Sequence, residues 1–194
     1  MSTSGEAGAH LARYEVLATP SYCTLIVHDA TVDVHGESEA FSRTINEIAT
    51  SDRYNLYLCS RQQIVPARVE ARVWSGPVPV AGAGWEGMRH LTLHSETGRL
   101  YVRELAAGVP GDWALPEPGT YDVTVRWRHR ADTERDVNHT FGQAQDHDWS
   151  MEELSSALTA LAGREFYRLD LWLADEQEAL GWDDEDDDEG WEPV

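Results

Sequence analysis

Residues 175–194 carry the densest charge in the chain. Eleven of the 35 acidic residues lie there, and no arginine, lysine or histidine accompanies them. A run of carboxylates attracts cations over a long range, and flanking tryptophans can anchor an interface. This acidic segment therefore predicts binding to a basic surface, against the alternative that it only keeps the chain solvated. The expected contact residues are Trp182, Asp183, Asp184, Glu185, Asp186, Asp187, Asp188, Glu189 and Trp191.

Two groups of histidines have residue types that bind metals. His90 and His94 alternate with leucines, which is typical of a strand, and at that spacing the two rings lie about 13 Å apart and cannot share one ion. The second group consists of His139, Asp146, His147 and Asp148, a combination that zinc accepts. A solvated polar loop explains this second group more simply. We therefore predict no metal site.

Catalytic signatures are weak in this sequence. Cys23 and Cys59 each lie in an apolar, strand-like run and are expected to be buried thiols. The chain has no G-x-S-x-G elbow, and its glycine-rich stretch at 82–87 lacks the pattern and the lysine of a phosphate-binding loop. All 15 basic residues are arginines, which excludes lysine Schiff-base chemistry. We predict a binding protein that is not an enzyme and needs no cofactor; a hydrolase using residues 139–148 is the weaker alternative.

The overall charge narrows the class of partner. The 194 residues carry a net charge of -20, of which -9 falls on residues 1–174. Such a field repels nucleic acid and anionic membranes, so a basic protein is the natural complement. Neither a cationic-then-apolar leader pattern nor an apolar run of about 18 residues is present, which predicts a cytoplasmic protein. We expect a flexible N terminus over 1–15, a β-sandwich domain over 16–174 and a disordered acidic tail over 175–194.

Period-two alternation predicts most of the elements that would position these residues. The clearest strand is Gly119–His129, where Tyr121, Val123, Val125 and Trp127 would face inward. Further strands are predicted at Cys23–His28, Thr31–Val34, Tyr54–Cys59, Val65–Trp74, His90–His94, Leu100–Leu105 and Tyr167–Leu173. The class is therefore mainly β, an antiparallel β-sandwich with one or two short helices.

Turn and cap residues predict how these elements are joined. Residues 95–98 include Gly98 and would join their flanking strands as a hairpin. Ser150 and Glu153 form a capping-box pattern that predicts a helix over Met151–Ala162, and a second, short helix is expected over Ala40–Glu47. Residues 130–147 are polar without periodicity and are predicted to form a long loop, as are the Gly/Pro-rich residues 75–88.

The eight tryptophans divide by predicted position. Trp127 faces inward, whereas Trp85 and Trp113 fall in predicted loops. Trp172 and Asp170 lie on the outward face of their strand, and exposed tryptophans often anchor interfaces. We therefore add Trp172 and Asp170 as secondary candidates for contact with a partner.

Three stretches in sequence order, Leu100–Leu105, Leu115–Tyr121 and Asp122–Trp127, resemble the second half of the competence protein J family. Members of that family are small acidic bacterial proteins that bind and inhibit a DNA-entry nuclease. The resemblance covers about a third of the chain, implies a β-sandwich and transfers no site residue. Together with the acidity it implies an inhibitor or immunity-type protein whose carboxylates occupy a groove made for phosphates. The alternative is an intracellular ligand-binding or scaffolding sandwich.

Overall fold

Two five-stranded sheets pack face to face in the computed structural model, which describes residues 8–32, 39–43, 46–78, 83–104 and 108–174. The first sheet has the order β1-β5-β10-β9-β6 and the second the order β3-β4-β2-β7-β8. The predicted β-sandwich is confirmed. The strands are β1 His10–Ala18, β2 Thr24–Asp29, β3 Ala49–Ser51, β4 Asn55–Cys59, β5 Ala67–Trp74, β6 Gly87–Ser95, β7 Arg99–Glu104, β8 Gly108–Ala114, β9 Gly119–Arg128 and β10 Phe166–Leu173. The helices are α1 Glu39–Arg43, α2 Arg130–Asp146 and α3 Met151–Thr159.

The core lies between the sheets and follows the alternation of the strands. On β9 the four residues predicted to face inward are all buried there, as are Leu169 and Leu171 of β10. The second sheet contributes side chains such as Leu25 and Val102. Each buried aliphatic or aromatic side chain of this size contributes about 1.5–3 kcal/mol through removal of apolar surface from water.

Strand β10 occupies the centre of the first sheet. It pairs parallel with β5 and antiparallel with β9. Antiparallel neighbours can be joined by a turn of two residues, yet 37 residues intervene between Arg128, the last residue of β9, and Phe166, the first of β10. This insertion contains α2 and α3. The sandwich does not need so long a connection to close its sheet.

The predicted hairpin at residues 95–98 is wrong. β6 belongs to the first sheet and β7 to the second, so these residues cross from one sheet to the other. The fully buried carboxylate of Asp29 organises the crossing, because it accepts hydrogen bonds from Ser95 Oγ at 2.5 Å and Thr97 Oγ1 at 2.8 Å. Burial alone would raise the pKa of Asp29, but the hydrogen bonds from Ser95, Thr31 and Thr97 outweigh it and hold that pKa far below its usual value.

The N-terminal boundary also differs from the expected one. β1 begins at His10, inside the segment expected to be flexible, and pairs antiparallel with β5 from His10 opposite Trp74 to Ala18 opposite Ala67. Its inward residues include Tyr14 and Val16. Their alternation with Arg13 and Glu15 is a strand pattern that the sequence prediction did not use.

Residues 130–147 form helix α2 rather than the predicted loop. The helix buries only Thr133, Val137 and Thr140, spaced four and three residues apart. Because two of these residues are threonines, the buried stripe lacks the hydrophobic period by which a helix is recognised. The predicted helices at 151–162 and 40–47 correspond to α3 and α1, and residues 44 and 45 lie outside the described part of the chain.

Three smaller predictions are corrected or limited. Trp113 lies in β8 rather than in a loop, and its side chain is buried in the core. Thr31 and Val32 form no strand, and residues 33 and 34 lie outside the described part of the chain. The Gly/Pro-rich stretch gives way to β6 at Gly87, and residues 79–82 are not described. None of the described helices is long and apolar enough to cross a membrane.

A buried polar cluster attaches the insertion to the sandwich. Glu165, fully buried at the end of the insertion, accepts hydrogen bonds from Ser60 Oγ at 2.7 Å and Gln62 Nε2 at 3.1 Å. The Tyr167 hydroxyl lies 2.6 Å from Glu165 Oε1 and 2.7 Å from the carbonyl oxygen of Cys59. One hydroxyl proton cannot serve both acceptors, and a protonated Glu165 that donates to Tyr167 resolves the conflict. Burial raises the pKa of Glu165 in agreement, although the hydrogen bonds and the positive charge of Arg130, whose Nε lies 4.0 Å from Glu165 Oε1, oppose it.

We expect Glu165→Gln to leave the fold intact at pH 7, because an amide can donate to Tyr167 and accept from Ser60. A raised folded-state pKa stabilises the protein at low pH, and this stability is lost as the pH rises above about 4.3, the unfolded value. The free energy of unfolding of the wild type should therefore fall relative to Glu165→Gln across that range. Urea denaturation at several pH values measures the difference. Glu165→Ala, which removes one hydrogen-bond partner from each of Ser60, Gln62 and Tyr167, should cost about 2–4 kcal/mol. An equal loss in both variants would contradict the protonated state.

Candidate protein-interaction surface

The insertion between β9 and β10 forms a helical hairpin, defined here as residues 129–165. His129 precedes α2 with a φ of 62°, and Asp148 between the helices has a φ of 49°. Aspartate tolerates this left-handed conformation better than most residues, which allows the sharp reversal. Ser150 then begins α3 with the predicted capping box: its Oγ accepts from the backbone N–H of Glu153, and the Glu153 carboxylate accepts from the N–H of Ser150. The turn between the helices is thus fixed by local chemistry.

Polar and ionic contacts hold the base of the hairpin. Arg130 Nε donates to the carbonyl oxygen of Cys59 at 2.9 Å. Glu134 pairs at 2.8 Å with Arg61, which lies in the loop after β4, and Asp136 pairs with Arg164 at 2.6 Å. These contacts all involve the first half of α2 or the end of the hairpin. The base is therefore anchored to the sandwich, whereas α3 packs mainly against α2.

The hairpin tip, defined as residues 141–160, exposes apolar side chains. α3 buries no residue, and Met151 at its start is 79% exposed. Phe141 on α2 is 40% exposed. A groove of about 850 Å³ runs along α3, with Trp149 at one end and Ser156, Ala157 and Ala160 among its lining residues. Exposed apolar side chains beside a groove are typical of protein interaction sites.

Carboxylates surround these apolar groups. Asp146, Asp148, Glu152 and Glu153 are exposed, and no arginine occurs between residues 136 and 163. Hydrogen bonds from Ser150 lower the pKa of Glu153 and keep it charged at neutral pH. The tip therefore combines an aromatic and a methionine anchor with a field that attracts cations, the composition expected of a surface that binds a basic protein.

The structure separates the residues that the sequence singled out. Trp172 is half-buried on the outer face of the first sheet. The expected contact residues from Trp182 to Trp191 lie outside the described part of the chain. His139, Asp146, His147 and Asp148 lie on the second half of α2 and in the turn after it. The sequence prediction did not identify the hairpin tip as a binding surface. Trp149, which follows two aspartates and precedes the capping box of α3, was a signal that could have identified it.

Asp170 is fully buried, so the prediction that it faces a partner is wrong. Its carboxylate accepts from Trp74 Nε1 at 2.9 Å and from Arg168 Nη2 at 2.8 Å, and it forms an ion pair with Arg126, which is 3% exposed. The alternation of residues along β10 does place Asp170 on the outer face of the sheet, but the side chains of Trp74, Arg126 and Arg168 cover it. Its role is to hold three strands together.

One group of potential metal ligands converges among the described residues. Carboxylate and imidazole atoms of Glu86, His129 and Asp132 lie within 4.8 Å of one another. The Glu86 carboxylate also accepts from the backbone N–H of His129 at 2.6 Å, which fixes the start of α2. His90 and His94 each contact a threonine of β9 through Nδ1. These contacts fix the start of α2 and support the pairing of β6 with β9.

Comparison with known proteins identifies the fold. No family model and no curated protein sequence matches the chain. The crystal structure of ComJ, inhibitor of the DNA degrading activity of NucA, from Bacillus subtilis, matches with a TM-score of 0.54 at 10% identity, over 87% of this chain and 100% of that one. The structure of crocagin biosynthetic gene J matches with a TM-score of 0.54 at 16% identity, over 85% of this chain and 100% of that one. The chain thus has a ComJ-like fold, as the sequence resemblance implied.

Proposed function

We propose that this protein is an acidic inhibitor or immunity-type module that binds a basic protein, such as a nuclease, through the hairpin tip and the acidic segment 175–194. The observation that carries the proposal is the helical hairpin itself. It adds 37 residues where two adjacent antiparallel strands need only a short turn, and its far end exposes apolar and acidic side chains. Long insertions on a rigid scaffold commonly carry the function of a protein.

The chemistry of the surface suggests how inhibition would work. A nuclease binds the phosphates of DNA through cations in its groove. Carboxylates at the hairpin tip would pair with those cations and would also speed association by long-range attraction. Trp149 and Met151 would supply the apolar contact that slows dissociation. Substrate would then be excluded because the same cations cannot serve both ligands.

The shared fold is consistent with this proposal but is not its main evidence. ComJ, which shares the fold, is described as an inhibitor of the DNA-degrading activity of NucA. The other neighbour is described as a biosynthetic gene product. The proposed role therefore rests on the charge and exposure of the hairpin tip and on the acidity of residues 175–194.

Capture of a partner from a lysate of the source cell tests the proposal. The full-length chain is immobilised and exposed to lysate at about 10 mM and at about 150 mM salt, where the screening length falls from about 30 Å to about 8 Å. We expect one basic protein to be retained at both salt concentrations, with more retained at the lower one. The retained protein should lose its own activity when the chain is added in equal amount. Retention of acidic proteins only, or of none, would contradict the proposal.

A further inference from the structure

The outer face of the first sheet is basic, although the chain as a whole is strongly acidic. Six arginines point outward from β1, β5, β9 and β10, against four carboxylates on the same face. The arginines are Arg13, Arg68, Arg72, Arg126, Arg128 and Arg168, and the carboxylates are Glu15, Glu70, Asp122 and Asp170. This face therefore has a local excess of positive charge in a chain whose net charge is -20.

The buried carboxylates on this face do not pair with all of its arginines. Glu70 forms ion pairs with Arg13 and Arg72, and Asp170 forms ion pairs with Arg126 and Arg168. Arg68 and Arg128 instead stack on the ring of Phe166, with their guanidinium carbons 5.5 Å and 4.9 Å from its centroid, and Arg68 Nε also lies 3.9 Å from a carboxylate oxygen of Glu15. The Nε atoms of both arginines are buried and donate no hydrogen bond within the described part of the chain. Buried donors of this kind normally have an acceptor.

These two arginines line a cleft of about 300 Å³, here called the arginine cleft. Gly163 and Arg164 from the end of the hairpin and Phe166 of β10 also line it. Three guanidinium groups surround one opening, and although Arg164 already pairs with Asp136 at 2.6 Å, such groups favour carboxylate or phosphate ligands because each can donate two parallel hydrogen bonds. Arg68 Nε already lies 3.9 Å from Glu15, so Arg128 is the one arginine of the cleft with no ion pair among the described residues, and an anion in the cleft would supply one.

We propose that the acidic segment 175–194 folds back across this face and places carboxylates of the run 183–189 in the arginine cleft of its own chain. The segment follows β10, the central strand of this sheet, and Ala174 is still bound to the sheet through a 2.9 Å hydrogen bond to Thr120. The cleft lies at the opposite end of β10, about 25 Å away at about 3.3 Å per residue. Asp183 follows Ala174 by nine residues, which span about 30 Å when extended. The run therefore reaches the cleft.

Charge complementarity favours this occupant over other sources of anions. The segment contributes -11 to the net charge and begins at the edge of the basic face. Tethering raises its effective concentration near the cleft to about the millimolar range. The inference does not depend on the proposed function. If both proposals hold, a basic partner competes with the arginine cleft for the carboxylates of residues 183–189.

Side-chain NMR of the full-length chain tests this docking. The Nε–Hε signals of Arg68 and Arg128 are compared between the wild type and a variant in which the five aspartates of 183–189 become asparagine and the two glutamates become glutamine. We expect both signals to differ between the two proteins at low salt and to converge at about 0.5 M salt, where screening is nearly complete. Coincident signals at low salt would overturn the proposal. Inorganic phosphate should shift the signals of the variant only, and an equal shift in the wild type would also overturn it.

X-ray scattering supplies a second readout with a matched control. We expect Arg68→Gln/Arg128→Gln to release the segment and to increase the maximum dimension of the protein by up to about 25 Å, the mean span of a free chain of 20 residues. The control is Arg89→Gln/Arg99→Gln, which removes the same charge from arginines paired with acids elsewhere. Its dimension should equal that of the wild type. Equal expansion of both variants would overturn the proposal.

Discussion

Asp170→Ala is expected to lower the free energy of unfolding by about 3–5 kcal/mol, because it leaves a buried arginine without its counterion. Arg126 is 3% exposed and forms its ion pair with this carboxylate. Trp74 and Arg168 lose an acceptor at the same time. These donors come from three neighbouring strands, so the loss acts on the centre of the first sheet. Urea denaturation followed by tryptophan fluorescence measures the change.

Asp112→Ala is the matched control for this effect. Asp112 pairs with Arg99, but both side chains are largely exposed, so the pair is screened by water and its loss should leave the stability nearly unchanged. If Asp170→Ala were as stable as the control and bound the partner more weakly, Asp170 would be a contact residue as first predicted. The structure leads us to expect the opposite result.

Neutralising the hairpin tip is expected to weaken binding to the basic partner by about 10- to 100-fold at low salt. The variant is Asp146→Asn/Asp148→Asn/Glu152→Gln. It leaves Glu153 in place, because that residue completes the capping box of α3. The loss should fall mainly on the association rate, since these exposed charges attract the partner before contact. Surface plasmon resonance with the captured partner separates the two rates.

Two further variants make this result specific. Glu39→Gln/Glu96→Gln/Glu117→Gln removes the same charge from exposed residues elsewhere and should change the affinity much less. Trp149→Ala should also weaken binding by about 30-fold, but through faster dissociation, because a buried aromatic anchor slows release. Similar losses in the tip variant and in the charge-matched control would mean that net charge, rather than the hairpin tip, determines binding.

Local sequence signals identified the elements whose pattern matches their environment. β9 alternates cleanly because one of its faces lies in the core, and α3 has a capping box that acts within four residues. Both predictions are confirmed. The ComJ-like fold, too, could be predicted from the stretches around β7, β8 and β9.

The remaining features depend on contacts distant in sequence. The crossing at 95–98 is held by Asp29, which lies 66 residues from Ser95, so a local turn signal could not distinguish it from a hairpin. α2 buries two threonines and one valine, which is too weak a stripe to detect. Asp170 follows strand parity, but parity cannot show that arginine and tryptophan side chains cover it. The arginine cleft likewise joins residues from β5, β9 and the end of the hairpin.

The proposed docking of residues 175–194 links the two charged surfaces of the molecule. The hairpin tip carries exposed carboxylates, whereas the acidic segment is proposed to occupy the arginine cleft. A basic partner would meet the tip first and would then compete for carboxylates held in the cleft. The affinity of the partner should therefore rise when the arginine cleft is weakened by Arg68→Gln/Arg128→Gln, because fewer carboxylates are held in the chain itself.

The central claim is that this protein blocks a basic partner by occupying its anion-binding groove. Its most direct test is to titrate the full-length chain into the captured partner and to follow the rate at which that partner degrades DNA. We expect the rate to fall to near zero at one chain per partner molecule, and the neutralised hairpin-tip variant to require a large excess. A rate that stays constant beyond equimolar amounts, with binding confirmed in the same sample, would contradict the claim.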